Sequence, residues 1–142
     1  IGMSVHIGTR FPAYATSMGR VLLSDLPAKD LDAVLKIPSE SGVVPRLKFV
    51  RKELDESLAE IRKRGWAMSD EQLSFGIRSI AAPVRDASGR TIAAVNVTVN
   101  AAETSIAVLK KDHLPLLLST AASITSDFAN MALLPTTRPL AP

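Results

Sequence analysis

The sequence predicts an α+β domain: a twisted antiparallel sheet with helices packed on it. Three observations carry this expectation. Strand-like apolar runs crowd together between residues 66 and 99, joined by short turn-forming corners, which makes neighbouring strands antiparallel. Helix-periodic segments stand before and after that cluster. The chain has 142 residues, 46% of them hydrophobic, which is one domain's worth of core-forming material and not a disordered or fibrous composition.

The elements follow in order. Residues 3–7 alternate apolar and polar side chains and read as a short strand, broken by Gly8 and Pro12. Thr16-Ser17-Met18-Gly19 opens the run 20–23 as a capped helix. Pro27 suits the first turn of a second short helix carrying Leu31, Val34 and Leu35. Residues 38–45 form a loop. Residues 51–64 form a charged helix whose Leu54, Leu58 and Ile61 make one buried stripe, with Glu60 and Arg64 one turn apart on its exposed side. Gly65 stops this helix, but no capping residue type between 47 and 52 marks its start.

The three strands are 66–73, 77–84 and 91–99, with Ser74-Phe75-Gly76 at the first corner and Asp86-Ala87-Ser88-Gly89 at the second. A long helix over about 112–133, with Pro115 in its first turn, places Leu114, Leu117, Ala121, Ile124, Phe128 and Met131 on one continuous apolar seam. Residues 135–142 hold three prolines and read as a flexible C-terminal tail.

Composition narrows the function classes. The net charge of +3, from 17 basic and 14 acidic residues, is too mild for a chain that lives on nucleic acid. Without cysteine there are no disulfides, zinc–thiolate sites or cysteine nucleophile, which fits a reducing, cytoplasmic setting. No apolar run reaches the length of a membrane span. The chain opens on Ile1 with no signal pattern and reads as a piece of a longer protein. His6 and His113 have no metal-ligand spacing, Ser17 has no nucleophile elbow, and no glycine-rich phosphate loop occurs. The expectation is therefore no enzyme, no metal and no cofactor.

Three places carry polar groups that ask for a reason. On the third strand, parity separates Ala93, Val95, Val97 and Val99 from Ala94, Asn96, Thr98 and Asn100. Asn is depleted in strands, so in a central strand Asn96 and Thr98 either face water or line a polar pocket. Ser17 to Gly19 are either an ordinary helix start or a set of amides offered to an anion, and Gly19 admits a close approach by a ligand or by backbone. Ser69-Asp70-Glu71 is either a solvated strand end or a polar closure, with Arg78 and Ser79 on the next strand within reach.

Four segments in register resemble one family. They are Gly8-Thr9-Arg10-Phe11-Pro12-Ala13-Tyr14-Ala15-Thr16-Ser17-Met18-Gly19-Arg20-Val21-Leu22-Leu23, Gly65-Trp66-Ala67 with Asp70-Glu71, Gly76-Ile77-Arg78-Ser79-Ile80-Ala81-Ala82-Pro83-Val84-Arg85-Asp86 with Gly89, and Ala93-Ala94-Val95-Asn96-Val97-Thr98-Val99. Together they resemble the effector-binding domain of IclR-type transcription regulators, in wording most like its PcaR/PcaU/PobR-like branch, which controls aromatic-acid breakdown through protocatechuate and β-ketoadipate. The resemblance spans about residues 3–133.

It implies a curved antiparallel sheet flanked by helices, GAF/profilin-like, with a long C-terminal helix. It also implies an effector-binding domain over 1–134, a dimeric or tetrameric assembly, and DNA contact only through an N-terminal winged helix-turn-helix absent from this fragment. By the same resemblance, Met3, Arg10, Phe11, Ser17, Met18, Gly19, Ser69, Asp70, Ile77, Ser79, Asn96 and Thr98 line a site for a small organic acid, aromatic or dicarboxylic. Ser69 stands where some relatives have an acid, and Asn96 where other branches have serine. Two other classes stay in play: an oligomerisation module, and a small enzyme on an anionic substrate with Asp70 or Glu71 as general base.

Overall fold

Thr16 has extended backbone, and its Oγ1 accepts the Gly19 amide at 3.1 Å, so α1 (Ser17–Ser24) starts where the cap residue predicts. This is a computed structural model, and it describes residues 4–132. A single 3-10 turn, Ala13–Ala15, precedes α1, and α2 (Ala28–Leu35) follows with Pro27 as its N-cap. α3 (Arg51–Arg64) begins at Val50 without a side-chain cap. Glu53 in its first turn and Arg62, Lys63 and Arg64 in its last complement the helix dipole instead. Gly65, at φ 82°, ends it in the left-handed conformation that other residues resist.

Three antiparallel strands then run in the order β1 (Ala67–Asp70), β2 (Ile77–Arg85), β3 (Thr91–Asn100). β1 is shorter than the predicted 66–73. Glu71 takes a positive φ of 52°, its amide donates to the Ile77 carbonyl at 2.9 Å, and its carboxylate accepts the Gly76 amide at 2.7 Å. These bonds close the corner before the strand can continue. A helical run follows as α4 (Ile106–Val108), a π-type segment Leu109–His113, and α5 (Leu114–Ala132).

The sheet is covered on both faces. On one side Val21 and Leu23 of α1, Leu31 of α2 and the α3 stripe Leu54, Leu58 and Ile61 pack over Ala67 and Ala81. On the other, Leu109, Leu117 and Ala121 pack over Ile80 and Ala82, joined by Val95, Val97 and Val99 of β3. The parity predicted for β3 therefore holds at Val95, Val97 and Val99, whereas Ala93 is exposed.

Further expectations differ from the structure. Within residues 4–7 there is no strand: His6 to Thr9 form a turn, with the Thr9 amide on the His6 carbonyl (3.0 Å) and the His6 amide on Thr9 Oγ1 (2.8 Å). Met3 lies outside the described residues, as do Leu133 and the predicted 135–142 tail. β3 is an edge strand among the described residues and not a central one. The α5 seam is buried only at Leu117 and Ala121, while Ile124, Phe128 and Met131 are exposed because the helix runs past the sheet. Arg64 stacks on the Trp66 ring at 3.8 Å, leaving Glu60 to pair with Lys63 at 2.9 Å.

Asp25, at the C-terminal end of α1, ties the helix to the start of β3. Its Oδ2 accepts the Thr91 amide at 2.7 Å and its Oδ1 meets Arg85 at 3.3 Å. The Thr91 amide, ahead of the Arg85 contacts, holds the Asp25 carboxyl below its ordinary value of 3.8. A depressed folded-state value means the stabilisation is present in full above that ordinary value and is lost as pH falls through the folded one. Thermal melts from neutral to acid pH should therefore show a loss of stability below about pH 4 that is smaller in Asp25→Asn. Parallel curves for the two proteins would show that Asp25 carries none of it.

Candidate functional site

The register of the sheet builds one polar row. Ser69 on β1 lies opposite Ser79 on β2, which lies opposite Thr98 on β3. The next row toward the sheet's other end is Ala67, Ala81 and Asn96. Both rows face α1, because β-strand side chains alternate and Ala67 and Ala81 belong to the α1–α3 core.

The N-terminus of α1 comes down on the serine row. Ser17, only 1% exposed, shares a 2.8 Å hydrogen bond between its Oγ and that of Ser79, and Ser69 Oγ donates to the Ala15 carbonyl at 3.1 Å. Hydroxyls are the side chains that fit here: they are small enough for a helix end to touch the sheet, and each buried one has a partner. At the far end Asp25 fixes the helix, and between them Arg20 Nε donates to the Tyr14 carbonyl at 2.7 Å. α1 is thus held at both ends.

Beside this junction lies a cleft of about 850 Å³. Its polar lining includes Ser17, Ser69, Ser79, Asn96, Thr98 and Asn100, and its apolar walls include Phe11, Met18, Leu73 and Ile77. Its mouth is open: Phe75 is 77% and Val5 65% exposed. Asn96 Nδ2 donates to Thr98 Oγ1 at 2.8 Å, leaving the Asn96 amide oxygen and the second amide hydrogen to spare. Gly19's amide is taken by Thr16, but those of Ser17 and Met18 have no acceptor among the described residues. Two free amides at a helix start, in an otherwise neutral cleft, suit one carboxylate. Size and lining are those of a small-molecule site.

Of the twelve residues singled out from sequence, Phe11, Ser17, Met18, Ser69, Ile77, Ser79, Asn96 and Thr98 come together on this cleft. Three do not line it. Arg10 is exposed and paired with Glu40 at 2.7 Å. Asp70 has the opposite parity to Ser69, so it faces away and meets Arg78 Nε at 2.7 Å; Arg78 also donates to the Thr104 carbonyl at 2.6 Å. These contacts brace strand against turn. Gly19 serves backbone packing: a Cβ there would sit on the Ala13 carbonyl. Met3 falls outside the described residues. Leu73, Phe75, Val99 and Asn100 are among the lining residues that sequence reading missed. Asn100 was legible from the same parity as Asn96, whereas the corner residues depended on how the β1–β2 loop folds back.

The fold and cleft define a helix-covered antiparallel sheet domain with an open cleft of small-molecule size. The sequence matches the family described as "Bacterial transcriptional regulator IclR C-terminal" over residues 1–126, and the chain belongs to that family. It is 34% identical over 119 residues to the Pca regulon regulatory protein of Pseudomonas putida, covering 84% of this chain and 41% of that protein. Among solved structures it resembles a protein of Rhodococcus sp. RHA1 assigned as a transcriptional regulator (44% identity, TM-score 0.81, 92% of this chain and 52% of that one). It also resembles the inducer-binding domain of an Acinetobacter PobR double mutant in complex with 3-hydroxybenzoic acid (32% identity, TM-score 0.73, 84% of this chain and 69% of that one). The chain thus spans less than half the length of the curated relative it matches.

Proposed function

We propose that this chain is the small-molecule-sensing part of a cytoplasmic transcription regulator of aromatic-acid catabolism, and that it is not an enzyme. An organic acid, aromatic or a dicarboxylate from ring cleavage, binds in the cleft with a carboxylate on the Ser17 and Met18 amides. Ser79, Asn96 and Thr98 meet its other polar groups, and Phe11, Met18 and Ile77 pack on its apolar body. The observation that carries this reading is the Ser69–Ser79–Thr98 row lying under the start of α1 and opening into an apolar-walled cleft. Operator binding is assigned to a winged helix-turn-helix outside these residues. The effector acts by binding one assembly state better than another.

Thermal-shift and calorimetric titration with 3-hydroxybenzoate, 4-hydroxybenzoate, protocatechuate and β-ketoadipate tests this, since a ligand of the folded state raises the melting point by mass action. At least one should bind below millimolar. Asn96→Leu should weaken it by about tenfold, the cost of one lost hydrogen bond and an unpaired ligand group. No binding by any of the four acids, or full binding by Asn96→Leu, would put the effector elsewhere.

A second role, self-association as a dimer or tetramer, is favoured by the exposed apolar face of α5 at Ile124, Phe128 and Met131. Phe128→Asp should shift sedimentation toward monomer if that face joins two copies.

A further inference from the structure

Phe75 is exposed at 77% on the mouth of the cleft, whereas the other apolar walls, Phe11, Met18, Leu73 and Ile77, are half-buried. A phenyl ring left in water at a tight corner is costly, and a polar residue would turn the chain as well. The backbone beneath the ring is fixed. The Glu71 amide donates to the Ile77 carbonyl at 2.9 Å, the Ile77 amide donates to the Ser74 carbonyl at 3.3 Å, and Glu71 Oε1 accepts the Gly76 amide at 2.7 Å. From the loop between α2 and α3, the Arg46 and Leu47 amides donate to the Leu73 and Gln72 carbonyls, each at 3.1 Å. The Cα of Phe75 is therefore held beside the cleft, and its side-chain torsions are what remain free.

Arg46 is the partner of that ring. Its guanidinium carbon lies 5.8 Å from the Phe75 ring centroid. Among the described residues no carboxylate pairs with Arg46. Glu71, the acid of the same corner, accepts the Gly76 amide instead. A guanidinium without an anion keeps its attraction for an aromatic face, and its planar head can follow the ring as the ring turns.

We infer that Phe75 is the cover of the cleft, its ring turning onto the outward side of the bound acid, and that Arg46 is the positioning residue that holds the ring there. This rests on the proposed function and adds two residues to its site. A carboxylate held at the start of α1 leaves the body of the acid toward the open rim, where water wets its outer side unless the rim closes. Closing takes the exposed ring and that side of the acid out of water together. It slows escape more than entry, because the uncovered cleft is open to the acid.

The test is titration of the chain with 3-hydroxybenzoate, 4-hydroxybenzoate, protocatechuate and β-ketoadipate, read by calorimetry for affinity and by NMR line shapes of the acid for its release rate. Phe75→Ala should weaken the acid that binds by about tenfold, nearly all of it through faster release. Without ligand its melting point should stay within about 2 °C of the unmodified protein, since the ring is exposed there. Phe75→Leu keeps apolar bulk and should recover part of the affinity. Arg46→Met keeps the stem without the charge and should weaken binding by about threefold. In the Phe75→Ala background the same change should cost nothing further, because Arg46 acts through the ring.

Unchanged affinity and release in Phe75→Ala, with an acid bound by the unmodified protein, would overturn the inference and leave the sensing role standing. An Arg46→Met loss that persists in full without the ring would overturn the positioning role, since the charge would then act on the anion directly. If none of the four acids binds, this inference falls together with the proposed function.

Discussion

Gly19→Ala should lower the melting temperature by about 10 °C, the equivalent of about 3 kcal/mol in a domain of this size. The added Cβ would overlap the carbonyl oxygen and Cα of Ala13 and lie 2.6 Å from its carbonyl carbon. Those are backbone atoms, so no rotamer change relieves the overlap. Ala13 is held in its own turn and Arg20 grips the Tyr14 carbonyl, so the clash is answered by lifting α1 off the sheet. That movement pulls Ser17 from Ser79 and distorts the cleft, so effector affinity should fall along with stability. Differential scanning calorimetry reads the first effect and titration the second. A melting point within about 2 °C of the unmodified protein would mean that Ala13 and Gly19 are not in contact, the usual range for a harmless surface change being about half a kcal/mol.

Leu58→Ala should cost about 3 kcal/mol in urea unfolding, within the range seen for leucines removed from rigid cores. Leu58 is fully buried in the middle of the α3 stripe, in a core whose sheet side is made of Ala67 and Ala81. Alanines cannot swing inward to fill the void, so most of the cavity persists. Val34 on α2 is 40% exposed, and its replacement by alanine should cost under about 1 kcal/mol. Similar losses from the two substitutions would contradict the placement of α3 over the sheet.

Much of the fold is legible in the sequence. The Thr16 cap, the stop of α3 at Gly65 and the turn at Asp86 to Gly89 rest on interactions within one or two turns of chain, where residue type dictates geometry directly. The alternation in β3 was equally legible, since a strand with one face on a core must alternate. The failures share a cause. Residues 4–7 have a strand's alternation but pair with no strand among the described residues, and local turn bonds between His6 and Thr9 take over. The α5 seam is periodic along its whole length, but the sheet beneath it ends, so Phe128 and Met131 meet no core.

The site divides the same way. Sequence alone marked Ser17, Ser79, Asn96 and Thr98 as polar residues in need of a reason, and family resemblance grouped them. Only tertiary structure decided that Ser17 meets Ser79 across 62 residues, that the missing Cβ of Gly19 makes room for Ala13, and that Asp70 turns away from the cleft while Ser69 turns toward it. Residue order dictates helices, caps and turns because their energies are local. Register and facing come from packing between distant segments, and there a shift of one residue sends every side chain to the opposite side of the sheet.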